Sequence, residues 1–258
     1  MKFLNRSGEF SVICRASVRG SRCCNWYDQQ LSFNLYCTVT KNQVLTAASC
    51  IEKIPNVGYL EVIFGNTKPE SPRHQSFNVV SKFTYEDWCK ERRYCFFEKY
   101  TDDLAILKLD TFNVGVAPAP IGIMSRNYHA FTHLPGISLK ITGWGHTGTE
   151  TRPISPRRAY VQILSKQDCE ERVRKLVPSC LSDVVLPDKI LCGVADPPIL
   201  AVQGDFGGPA AYGKDKSISA ILIQRCPIHH PNDVSPGQVN LLLQLEYYSD
   251  FLSSVLEF

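Results

Sequence analysis

The sequence predicts an all-β fold of the barrel or sandwich type. Three observations carry this. Short apolar runs read as strands between Gly, Pro and Asn turns. Two stretches alone read as helices. The chain has 258 residues, 44% of them hydrophobic, which suits one large all-β domain or two small ones.

In chain order the strand-like runs are Tyr59-Leu60-Glu61-Val62-Ile63-Phe64, Phe77-Asn78-Val79-Val80, Ser138-Leu139-Lys140-Ile141 and 217–223. The helical stretches are 166–175 and 245–256, the second closing the chain. No internal repeat or low-complexity tract interrupts the pattern. No apolar run reaches the roughly 18 residues of a membrane-spanning helix, so no membrane association is expected.

Net charge is +3, too mild to imply a nucleic-acid partner. The basic clusters Lys90/Arg92/Arg93, Arg157/Arg158 and Arg172/Arg174/Lys175 are mostly interleaved with Glu91, Glu98, Glu170 and Glu171. That pattern reads as a solvated surface laced with ion pairs. A polyanion such as heparin is a minor expectation.

The segment richest in information is Gly204-Asp205-Phe206-Gly207-Gly208-Pro209. Four others stand with it: Val44-Leu45-Thr46-Ala47-Ala48-Ser49-Cys50, Asp102-Asp103-Leu104-Ala105-Ile106-Leu107-Lys108-Leu109, Ile141-Thr142-Gly143-Trp144-Gly145 and Pro236-Gly237 before the closing helix. In this order they resemble the motifs of the chymotrypsin/trypsin-like serine proteases, from about Trp26 to the end of the chain. The resemblance sharpens the fold to two six-stranded antiparallel Greek-key barrels packed together, with a C-terminal helix. It divides the chain into an N-terminal extension, 1–24, and a protease-homology domain, 25–258. Barrel one then spans about 25–125 and barrel two about 126–258.

The same resemblance places Ser49 at the general base, Asp103 at the catalytic aspartate and Phe206 at the nucleophile. Acyl transfer in this family needs a serine to attack, a histidine to take and return its proton, and an aspartate to orient the histidine. A serine hydroxyl has no useful basicity near neutral pH. A phenyl ring has neither a lone pair to attack a carbonyl nor a proton to give. The chain is therefore expected to be a non-catalytic serine protease homologue. None of the six histidines falls in a catalytic motif. The pair His229-His230 lacks a third ligand at a suitable spacing, so no metal and no cofactor is expected.

The rest of the site is altered too. Gly204, Asp205 and Phe206 occupy the former oxyanion loop, whose glycines still permit the turn. Leu200, six residues before Phe206, stands at the base of the former specificity pocket. Ile223 lies in the run Ala220-Ile221-Leu222-Ile223-Gln224-Arg225, where the family's substrate-pairing strand has Trp and Gly. Phe206 and these apolar residues are expected to fill the old pocket in part. No Ile-Val-Gly-Gly activation sequence occurs, so Asp205, which would receive the freed amine, needs another donor or solvent.

Eleven cysteines point to an oxidising compartment and a secreted protein. Met1-Lys2-Phe3-Leu4 starts like a signal peptide, but Asn5-Arg6-Ser7-Gly8-Glu9 interrupts any apolar core. Cys89 and Cys95 are close enough to staple an inserted loop. The resemblance implies the bridges Cys37–Cys50 and Cys169–Cys192. Val202 replaces a usual cysteine, leaving Cys226 without its family partner, with Cys180 as a candidate. Cys14, Cys23 and Cys24 stay unassigned; their spacing resembles the end of an arthropod clip domain but is too little to assign one, and the homologue is expected to be of arthropod type.

The expected role is protein binding as a cofactor, decoy or regulator in an extracellular proteolytic, immune or reproductive pathway. The expected partners are proteases, zymogens or inhibitors. The inserted loop 85–100, rich in aromatic and charged residues, is the candidate contact surface. Two alternatives stand beside it: a weak hydrolase using a non-family nucleophile such as Ser49, and a decayed duplicate without selected function.

Overall fold

The computed structural model describes residues 14–18, 32–52, 54, 56–64, 75–98, 101–110, 122–123, 134–143, 157–175, 185–196, 199, 201, 204–212, 217–226 and 238–256. Six strands close the first barrel: β1 (Cys14–Val18), β2 (Ser32–Thr38), β3 (Gln43–Thr46), β4 (Leu60–Phe64), β5 (Gln75–Thr84) and β6 (Ala105–Leu109). Their order around the ring is β1-β2-β3-β6-β5-β4, so the sheet skips from β3 to β6 in Greek-key fashion.

The second sheet contains β7 (Gly122–Ile123), β8 (Ser138–Gly143), β9 (Arg157–Ile163), β10 (Ile190–Val194), β11 (Pro209–Tyr212), β12 (Ser217–Cys226) and β13 (Val239–Gln244). Its order is β11-β8-β9-β10-β13-β12-β7, and β11 also pairs with β12. That extra pairing brings β8 to β13 round into a six-strand ring. Its strand order is the same as that of the first barrel. The predicted pair of antiparallel barrels is therefore present.

Two boundaries differ from expectation. The N-terminal extension 1–24 is not outside the first barrel, because β1 pairs antiparallel with both β2 and β4 and completes that ring. Residues 122–123, assigned by sequence to barrel one, belong to the second sheet, where β7 pairs parallel with β12. Backbone pairing decides both cases, and neither short segment has an apolar pattern that would announce it.

The packing explains why several strands are buried on both faces. Successive side chains on a strand point to opposite faces. In β3 and β6, Val44, Ala105, Leu107 and Leu109 fill the first barrel. Leu45 and Ile106 point the other way, into a seam shared with the second barrel. On the second side, Leu191, Ala220, Leu222 and Leu242 fill that barrel's interior. Ile190, Cys192, Ile221, Leu241 and Leu243 join the seam. Strands buried on both faces lose the polar/apolar alternation that β9 keeps, with Ala159, Val161 and Ile163 buried and the residues between them exposed.

Helix α1 (Tyr85–Lys90) follows β5 directly. It starts there because Thr84 and Asp87 cap each other: Asp87 N–H donates to Thr84 Oγ1 at 3.0 Å, and Thr84 Oγ1 donates to Asp87 Oδ2 at 2.7 Å. Helix α2 (Lys166–Lys175) uses Ser165 and Asp168 in the same way. It is tied to β10 by the Cys169–Cys192 disulfide. The predicted C-terminal helix is a 3-10 turn, Leu245–Tyr248, running into α3 (Ser249–Val255). Phe251 and Leu252 of α3 are buried in the seam cluster. No helix among the described residues is long and apolar enough to cross a membrane.

Candidate functional site

The loop after β3 turns into a short 3-10 helix, Ala48–Cys50, that carries Ser49. Asp103 lies two residues before β6, the strand that pairs with β3. The register Thr46↔Ala105 therefore brings the two side chains together. Ser49 Oγ donates to Asp103 Oδ2 at 2.6 Å, and Ser49 N–H donates to Asp103 Oδ1 at 2.6 Å. Burial pushes the Asp103 carboxyl above the usual carboxylate range, against the hydrogen bonds from Ser49 and the Ala48 backbone; nearby Glu52 adds to the rise.

Phe206 sits in the turn between residues 204 and 207, half-buried. Its ring packs against both the first-barrel interior and the second-barrel interior, so it bridges the two halves where they meet. Gly204 and Gly207 have φ of 98° and 80°, a left-handed backbone that side-chain-bearing residues rarely adopt. Gly207 N–H donates to Leu222 O at 2.7 Å, and Leu222 N–H donates to Gly208 O at 2.9 Å, which clamps the turn onto β12. Asp205 lies with its carboxylate over Gly143; a Cβ there would run into Asp205 Oδ1. A side chain at the end of β8 would have to displace the Asp205 carboxylate.

Ile223, expected at the former specificity pocket, lies on β12. Its side chain, 7% exposed, packs in the seam cluster and not with Phe206. Leu222, one residue earlier, faces the second-barrel interior on which Phe206 rests. Alternation along β12 separates the two side chains. Leu200, Trp144, Cys23, Cys24, Cys180 and all six histidines lie outside the described residues. Of Cys14 and Cys226 only the backbone is described. The described residues contain no cluster of three or more His, Cys, Asp or Glu placed to hold a metal.

Two disulfides form as expected, Cys89–Cys95 and Cys169–Cys192. The resemblance implies a bridge between Cys37 and Cys50. Both residues are buried; Cys37 packs in the seam and Cys50 in the first barrel. Cys50 Sγ lies 3.7 Å from Phe206 O.

One cluster escaped sequence reading. Asp102, beside Asp103, is buried and accepts from Tyr248 Oη at 2.5 Å, Lys189 Nζ at 2.7 Å and Glu98 N–H at 2.7 Å. Lys189 also pairs with the Glu98 carboxylate at 3.2 Å. Burial and the adjacent Asp102 charge push the Tyr248 hydroxyl far up, so it stays a donor. The adjacent carboxylates Asp102 and Asp103 were the available signal, since two buried acids need two sets of donors.

The order of strands, the paired Ser49 and Asp103, and the Gly204–Gly208 turn can now be set beside known proteins. A family model described as Trypsin matches residues 30–224. The chain belongs to the trypsin family. A curated relative, the clotting factor G beta subunit of Tachypleus tridentatus, is 27% identical over 183 residues. The alignment covers 67% of this chain and 55% of that protein, so the chain spans about half the length of the curated relative it matches.

Ser49 spends its proton on Asp103, and a carboxylate is far too weak a base to ionise an alcohol. Phe206 contributes surface to bury and no reactive atom.

Proposed function

We propose that the chain is a non-catalytic trypsin-family protein that binds other proteins, as a cofactor, decoy or regulator in an extracellular proteolytic pathway. The observation that carries this reading is the pairing at Ser49. A hydroxyl stands where the family keeps its general base, and it is engaged with Asp103 at 2.6 Å. With Phe206 at the nucleophile position, both ends of the proton relay are gone. Loss of either alone costs about as much as loss of the whole unit. A double barrel displaying a stapled loop suits recognition. Two disulfides and heavy cysteine use favour secretion, and the relative named as a clotting-factor subunit favours proteases, zymogens or inhibitors as partners.

The test is a steady-state assay with activated ester and peptide substrates. The wild type is expected to give no turnover above the uncatalysed rate. The double variant Ser49→His/Phe206→Ser is expected to remain far below a trypsin-like rate, because Leu200 and the 220–225 run are altered as well. Wild-type turnover that disappears in Ser49→Ala overturns the reading.

A further inference from the structure

We propose that the tip of the inserted loop, residues 92–96, is the protein-docking element, and that it fits an apolar cleft edged by carboxylates. This rests on the binding role argued above and names the surface and the partner's chemistry.

Tyr94 and Phe96 are 93% and 89% exposed, the two most exposed large hydrophobic side chains among the described residues. Two bare rings on one short segment call for a partner more than a scattered surface residue does. The segment is held on both flanks. On one side, Tyr85 and Trp88 of α1 pack on Tyr248 and Phe251 with ring centroids 4.8–5.9 Å apart. Trp88 Nε1 also donates to Ser254 Oγ at 2.7 Å. On the other, Glu98 N–H donates to Asp102 and the Glu98 carboxylate pairs with Lys189. The Cys89–Cys95 disulfide closes the segment between. The rings are presented on a pre-organised support, so little ordering cost remains for binding.

Charge narrows the partner. Lys90 is answered by Glu86 at 3.0 Å and Asp87 at 3.4 Å, and Glu98 by Lys189. Glu91 and Arg92 stand 3.9 Å apart, with the Arg92 guanidinium 3.9 Å over the Trp88 ring. Arg93, exposed and beside Tyr94, has no carboxylate paired with it among the described residues. The tip thus offers Tyr, Phe and one uncompensated Arg; Tyr and Arg are enriched at interface hot spots, and aromatic residues generally at interfaces. Rings require an apolar cleft, and the cation requires acidic groups at its edge. A membrane is the weaker occupant: two rings and Arg93 at the tip of a loop that also carries Glu86, Asp87, Glu91 and Glu98 fall short of the broad apolar face and basic surround that interfacial binding uses.

The experiment pans a random-peptide phage library on the wild type, with the variant Arg93→Glu/Tyr94→Ala/Phe96→Ala as counter-screen. All three side chains are exposed, so the variant is expected to melt with the wild type. Enriched peptides are expected to carry apolar residues beside Asp or Glu and to bind the variant about tenfold or more weakly. Peptides that bind both proteins equally, or no enrichment on the wild type, overturn the proposal. So does wild-type binding to phosphatidylcholine/phosphatidylserine vesicles that the variant loses, which assigns the tip to membranes. Equal peptide binding leaves the non-catalytic binding role standing on another surface. Ester turnover by the wild type sinks that role whatever the peptides do.

Discussion

Asp103 sets burial against hydrogen bonding, and burial prevails. Its folded pKa lies above the unfolded one, so the folded state holds the proton more tightly. Stability is therefore lost as pH rises from the unfolded carboxylate range through the folded pKa, and the loss is complete above it. Asp103→Asn removes that dependence while keeping one acceptor for Ser49. The variant is expected to gain melting temperature on the wild type as pH is raised from about 4 upward. Parallel curves across that range would show that the carboxyl is not shifted. Ser49, Asp103 and Phe206 were all legible in the sequence, because each sits inside a six- to eight-residue motif with fixed neighbours. Asp102 was not. Two adjacent aspartates look alike in a sequence, and the three donors that distinguish this one come from residues 98, 189 and 248.

The two disulfides act on elements of different reach. Cys89–Cys95 closes a separation of 6 residues, and Cys169–Cys192 one of 23, tying α2 to β10. Chain-entropy reasoning gives about 2 kcal/mol for the first and about 3 kcal/mol for the second. Paired Cys→Ala replacement at 169/192 is expected to lower the denaturant midpoint more than replacement at 89/95. The reverse order would mean that α1 and its loop contribute native-state contacts beyond the constraint. α1 itself was read as plain loop, since six residues are too few to show a helical period. Its cap, Thr84 with Asp87, is visible only once β5 is known to end there. β3 and β13 were equally silent as strands. Gln43–Thr46 and Val239–Gln244 are buried throughout, so they lack the alternation that marks β9.

At the scale of the molecule, the Asp102 cluster joins the inserted loop, the second barrel and the C-terminal segment at one carboxylate. Lys189→Met leaves that buried charge with two donors instead of three. The expected cost is about 3 kcal/mol, read as a fall in thermal midpoint. Lys189→Met combined with Asp102→Asn is expected to recover part of it, because the charge is then gone too. An unchanged midpoint in the single variant would show that Tyr248 and Glu98 suffice. The ring order of both barrels came from the motifs and not from apolar patterning, which supports a barrel or a sandwich equally well. The seam explains why: five strands, β3, β6, β10, β12 and β13, serve two neighbours at once. A strand with no wet side must give each polar side chain a buried partner, as Gln43 has in Val255 O and Asn240 in Ile199 O. Change costs least at the exposed connections, so the same pair of barrels can carry tips of many shapes.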